Sequence, residues 1–223
     1  MFQSWQQLLF MHWRVPIEQL RSVVPAPLIV DECEGSAWVG LTPFRVVDLR
    51  ARLMPPLPGV STFPEMNLRT YVRHGDRSGV YFFTLEAGSN AAVIGARLLY
   101  FLPYHRARMH VRPYGDWIDY RSSRERDRVE FFGRYRPNGP IFNARPGTLE
   151  YFLTERYALF SVLSRRRVLR ADIHHVPWPL QVAEAHVDVN TVPEAYGLDV
   201  SGQQPLLHYA DRQDTLVWAP VMT

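Results

Sequence analysis

"EMNLRTYVRH" at 65–74 and "GVYFFTLEA" at 79–87 are runs rich in β-branched and aromatic residues, joined by "GDRSG" at 75–79, whose glycines and aspartate suit a hairpin connection. In the first run Met66, Leu68, Thr70 and Val72 fall on one side, and Glu65, Asn67, Arg69, Tyr71 and Arg73 on the other. The pattern predicts a strand with one apolar and one polar face. That polar face either meets water or lines a cavity, and the choice governs the functional reading.

Outward from this hairpin, "SAWVGLTPFRVVDL" at 36–49 reads as a strand whose Pro43 requires an edge or a bulge, and "RARLMPPLPGVSTFP" at 50–64 as a loop. "PIEQLRSVV" at 16–24 has proline at a helix entry and apolar residues at helical spacing. "SNAAVIGARLLYFL" at 89–102 starts at a Ser/Asn cap and cannot continue past Pro103, so Tyr104 and His105 emerge just beyond a helix end. Farther on, "RMHVRPYG", "DWIDYRSS", "RVEFFGRYRP", "RYALFSVLS" and "VLRADIHHV" are short strand-like runs between turns, and "TLEYFLTE" reads as a short helix. No repeat or low-complexity linker divides the chain. The expectation is one domain over 1–223, of α+β class and mostly antiparallel β, a sandwich or barrel with a few short helices.

All 25 basic residues are arginine, and there is no lysine. Arginine stays protonated, so no side chain can form a Schiff base and only the N-terminal amine could serve as an amine nucleophile. The formal charge of +3 is spread among interspersed acids, which gives no reason to expect a nucleic-acid partner, and "SRRRVLR" at 164–170 reads as a solvated edge. No apolar run approaches the roughly 18–20 residues of a membrane span, so no membrane partner is expected. The first residues lack the marks of a secretory signal, and the single Cys33 sits among carboxylates that disfavour its thiolate. These features predict a cytoplasmic protein, and they leave a homo-oligomer open.

Several chemistries drop out. His174 and His175 are strand neighbours that face opposite sides and cannot share an ion, so no metal site is expected. Neither a phosphate loop nor a dinucleotide fingerprint is present, so no cofactor is expected, and "EAGSNAA" lacks the glycine a nucleophile elbow needs after its serine, so the serine-hydrolase reading drops out. What remains is Glu65, Arg69, Tyr71, Arg97, the Tyr104–His105 pair and Arg14. Arg97 lies in an otherwise apolar helix and there needs a carboxylate or carbonyl partner, which a core-organising ion pair would satisfy as well as a site would.

"HWRVPIEQLRSVVPAPLIVD", "FPEMNLRTYV", "GVYFFTLEA", "ARLLYFLPYHRARM", "GTLEYFLTERYAL" and "HHVPWPLQVAE" resemble, over essentially the whole chain, the YqjF-like or DUF2071 family of bacterial proteins. That family in turn resembles acetoacetate decarboxylase, which implies a strongly curved sheet forming a cone-like barrel around a cavity. The decarboxylase's active-site arginine then falls on Arg14, its cavity glutamate on Glu65, and a further arginine on Arg97. Its two lysines fall on Tyr104 and His105, so the resemblance implies a site from which imine chemistry has been removed. The implied enzyme acts on a small oxo acid or carbonyl compound. Tyr104, His105 and Glu65 would be the catalytic acid, base and relay, and Arg14, Arg69, Tyr71 and Arg97 would hold the small-molecule ligand. The competing expectation is a non-catalytic binding or sensing protein. A third is a purely structural domain whose cavity is filled by aromatic side chains.

Overall fold

The computed structural model describes residues 1–51, 53–57, 59–124 and 126–223. Its strands in chain order are β1 (Phe2–Val15), β2 (Ile29–Val30), β3 (Ala37–Arg50), β4 (Phe63–His74), β5 (Arg77–Ala87), β6 (Tyr104–Arg106) and β7 (Arg108–Tyr114). They continue as β8 (Trp117–Arg124), β9 (Val129–Pro137), β10 (Ala158–Ser164), β11 (Arg167–His174), β12 (Gln181–Asn190), β13 (Leu206–Val217) and β14 (Val221–Met222). The helices are α1 (Ile17–Val23), α2 (Asn90–Tyr100) and α3 (Leu149–Thr154). The expected loop over 50–64 joins β3 to β4; its Arg52 and Pro58 lie outside the described residues.

The sheet closes on itself. Strands run in the order β11-β10-β5-β4-β3-β1-β13, and β13 pairs back to β11 through Ile173↔Val217 and His174↔Leu216. All of these seams are antiparallel except β10–β5. From β13 the path continues through β12, β9, β8 and β7 as a leaf that folds over the outside of the ring. Leu9, Met11, Leu41, Met66 and Leu68 of the ring pack there against Ile118, Tyr120, Phe131 and Tyr135 of the leaf. The opposite faces of the same strands turn inward, where Leu8, Phe10, Phe44 and Phe63 meet Val93 and Trp178. The fold is the curved, mostly antiparallel barrel that the resemblance implied.

Local irregularities aim the interior residues. Gln7 takes a left-handed φ of 53°, and pairing between β1 and β3 slips between Gln6↔Arg45 and Met11↔Leu41. Pro43 falls inside that slip on the β1 side while staying opposite Met66 of β4, so an irregularity accommodates it and β3 remains a central strand. A second slip, between Leu68↔Thr84 and Arg69↔Phe82, makes Phe83 the extra residue. It lets both Phe82 and Leu85 face the interior despite their odd spacing.

Candidate active site

The polar face of β4 lines a cavity. Glu65, Asn67 and Arg69 all border an interior space of about 220 Å³, together with Trp5, Phe44, Phe82, Leu85, Tyr104 and Trp178. α2 roofs it. Ser89 caps this helix by accepting a hydrogen bond from the Ala92 N–H, and Ala91, Ala92, Gly95 and Ala96 face the space. Ile94 and Leu98 point outward and are exposed.

β6 brings Tyr104 in. Where the sequence pattern suggests only a tail beyond the helix, this short strand pairs parallel to β5 with Leu85↔Tyr104 and Glu86↔His105 in register. Paired residues share a face, so Tyr104 follows Leu85 into the cavity and His105 follows Glu86 to the opposite side. The Tyr104 hydroxyl donates to Glu65 Oε2 at 3.0 Å. Glu65 is 6% exposed, and desolvation in these apolar walls raises its pKa to about 8, outweighing the Tyr104 hydrogen bond that pulls it down. Burial and the neighbouring carboxyl push the Tyr104 phenol far above its ordinary value. From the leaf, the Tyr120 hydroxyl donates to the Glu65 carbonyl at 2.7 Å and fixes the backbone beneath the carboxyl.

The remaining expected site residues separate. His105 lies beside the buried pair of Glu86 and Arg124, whose Oε1 and Nη1 are 3.5 Å apart, and burial followed by the Arg124 charge lowers its pKa. It does not line the cavity, because strand parity turns it away. Arg14 shares the inward parity of Leu8, Phe10 and His12 but lies past the end of the ring interior. There it pairs with Glu34 at 2.8 Å, both side chains 54% exposed, and covers the Trp38 ring. Arg14→Ala is therefore expected to shift stability by no more than about 1 kcal/mol, measured by chemical denaturation. Tyr71 is fully buried beyond Arg69, donating to the Leu153 carbonyl at 2.8 Å and lying 2.7 Å from His12 Nε2, so it is floor and not lining. Arg97, expected to need a partner inside an apolar helix, stands exposed on α2, and its Nε donates to the Tyr104 carbonyl at 2.6 Å. The carbonyl partner is present without the burial, since the Ala/Gly side of α2 takes the inward position.

Arg69 occupies the far end of the cavity from Glu65. Its Cζ lies 5.3 Å from the Phe10 ring centre and 6.0 Å from that of Tyr71, and Nη2 makes a long 3.5 Å contact with the Leu153 carbonyl. Sequence reasoning missed Thr42, Asn67 and Trp178 as lining residues. Asn67 was legible as part of the polar face, whereas Thr42 comes from a strand without clean alternation and Trp178 from a segment with no strand pattern. Among the described residues no three His, Cys, Asp or Glu side chains gather as a metal set, and no helix is long and apolar enough to cross a membrane.

The chain belongs to the DUF2071 family, whose profile, described as an uncharacterized conserved protein, matches residues 2–214. It is 46% identical over 219 residues to the "Uncharacterized protein YqjF" of Bacillus subtilis (strain 168), covering 98% of this chain and 90% of that one. Its fold is similar to that of the enduracididine biosynthesis enzyme MppR complexed with pyruvate, at 12% identity and a TM-score of 0.67 over 99% of this chain and 89% of the other. Acetoacetate decarboxylase from Legionella pneumophila is similar at 12% identity and a TM-score of 0.66, over 100% and 86% of the two chains. The acetoacetate-decarboxylase-like fold is thereby shown.

Proposed function

We propose that this chain is a cytoplasmic enzyme that moves a proton on a small oxo acid or carbonyl compound held in the ring cavity, without passing through an imine. The observation that carries this reading is the Tyr104–Glu65 hydrogen bond inside apolar walls, with a carboxyl whose pKa of about 8 lies close to neutrality. Such a group exchanges protons readily at physiological pH, as a general acid or base must. The ionised fraction of Glu65 takes the proton from the carbon beside the substrate carbonyl. The Tyr104 hydroxyl, kept neutral by burial, hydrogen-bonds to the carbonyl oxygen as negative charge develops there. The absence of lysine supports the lack of an imine, and the pyruvate held by a fold neighbour is in keeping with a small ligand.

One observation favours a binding or sensing protein instead: His105, whose ordinary pKa suits neutral proton transfer unaided, faces away from the cavity. Deuterium exchange at the carbons flanking the carbonyl of pyruvate, acetoacetate or 5-oxohexanoate, followed by proton NMR, separates the two. Exchange should be faster with the protein than without it, and Tyr104→Phe should slow it by about a hundredfold. Ligand binding with no catalysed exchange in the wild type would leave the sensing protein.

A further inference from the structure

We propose that the cavity takes an oxo acid whose carboxylate is a handle held at Arg69, and whose reactive carbonyl lies at the other end beside Glu65 and Tyr104. This rests on the proton-transfer reading for the carbonyl end only; the carboxylate end is a statement about binding.

Three observations carry it. First, Arg69 is a cavity-facing guanidinium with which no carboxylate pairs among the described residues, and its buried Nε has no hydrogen-bond partner. Arg156, the other arginine on the lining, is by contrast satisfied at 2.8 Å by Asp31. A desolvated cation without a counter-ion is costly, and an incoming carboxylate would satisfy both the charge and the donor. Second, Thr42 and Asn67 face each other across the β3–β4 seam, midway along the cavity. They are 1% and 5% exposed, with Thr42 Oγ1 and Asn67 Oδ1 unpartnered. Two buried polar atoms without partners on one stretch of wall are placed to meet polar groups of a ligand.

Third, the two ends are far apart. Glu65 and Arg69 are four residues apart on one strand, about 13 Å between Cα positions. Their side chains do not converge: the guanidinium leans toward Tyr71 and Leu153, and the carboxyl toward Tyr104. A β-oxo acid, whose carbonyl is one carbon removed from the carboxylate, cannot reach both ends. The walls between are mostly apolar, with Phe44, Phe82 and Leu85 among them, so the body of the ligand is largely hydrocarbon, with a polar substituent accommodated only where Thr42 and Asn67 border the space. An ion pair with arginine also stabilises the carboxylate against leaving as carbon dioxide, since the contact would be lost in the transition state. The carboxylate is retained, and the bonds that change are at the distant carbonyl.

Calorimetric titration of the full chain with hexanoate and hexanamide tests the handle, because the two probes share a hydrocarbon body. Hexanoate should bind about tenfold or more tighter. Arg69→Gln should abolish that preference, Arg69→Lys should restore part of it if the glutamine variant folds poorly, and Arg14→Ala should keep it. Equal affinities in the wild type, or a preference that survives Arg69→Gln, would overturn the proposal. Exchange assays with 5-oxohexanoate and 3-oxohexanoate test the spacing. Faster exchange of the 5-oxo acid is expected, and decarboxylation of the 3-oxo acid above its spontaneous rate would sink the retained carboxylate. A carboxylate preference through Arg69 without any exchange would keep the handle and reject the proton-transfer reading. Exchange of neutral ketones without a carboxylate preference would do the reverse.

Discussion

Glu65→Gln is expected to stabilise the protein above neutral pH while lowering any turnover by a hundredfold or more. The two effects have one origin. Burial raises the Glu65 pKa from 4.5 to about 8, so the folded state holds its proton more tightly than the unfolded chain does. Between those values the folded state carries more protons than the unfolded state, and linkage makes stability fall as pH rises. The stability associated with the neutral carboxyl is fully present below about pH 4.5 and is lost by about pH 8, above which the Glu65 contribution is flat. At about 1.4 kcal/mol per unit, the change across that window is on the order of several kcal/mol. Glutamine has nearly the same shape, still accepts from Tyr104 and never ionises. Denaturation midpoints of wild type and Glu65→Gln should therefore diverge from about pH 4.5 and run parallel above about pH 8. A difference that does not depend on pH would mean that Glu65 titrates normally and is only a packed side chain. Such a cost to the fold is in keeping with the proton-transfer role proposed for Glu65.

The part of the site legible in the sequence was the part with period two. β4 alternates, so the alternation alone places Glu65, Asn67 and Arg69 on one face, and all three border the cavity. β1 gave no such signal. Leu9, Met11 and Trp13 face the leaf and Leu8, Phe10 and His12 face the ring interior, so it is buried on both sides and reads as an unbroken run. β12 and β13 also carry no clear strand pattern. In β13 only Gln213, Thr215 and Val217 alternate, and two of those inward positions are polar.

Tyr104 enters the cavity and His105 does not, and the sequence could not separate the two for a related reason. The parity that bars His174 and His175 from sharing an ion also splits this pair, but it applies only if 104–106 is a strand. Three residues beside a proline carry no period from which to read one. Arg14 had the right parity and the wrong height along its strand, and height depends on where the ring ends, a property of all its strands together. The aligned decarboxylase pattern therefore located two cavity residues, Glu65 and Tyr104. The cavity arginine with which no carboxylate pairs among the described residues is Arg69, which the β4 alternation found.

Gly79→Ala is expected to cost about 3 kcal/mol or more, or to prevent folding, although its neighbour in the same five-residue connection should tolerate alanine far better. In the sequence Gly75 and Gly79 look alike, both residues of the "GDRSG" turn. The structure assigns them different work. Gly75 holds a φ of 61° in the turn and faces open space, so alanine there meets only the left-handed backbone penalty of about 1–2 kcal/mol. Gly79 already lies in β5, opposite Val72, and a Cβ on it would stand 2.5 Å from the Ala158 carbonyl oxygen and 2.7 Å from the Phe160 ring. The first of these is backbone and cannot swing aside. Relief requires β10 to move away from β5, yet that seam consists of Leu159↔Val80 and Phe160↔Tyr81 alone. It is also the one parallel joint in the ring, so opening it separates β10 and β11 from β5 and breaches the cavity wall where Val80 and Leu159 meet. Urea denaturation of the two alanine variants measures the contrast. Equal small losses would mean that β10 is held by its other neighbours and that the ring closes without this contact.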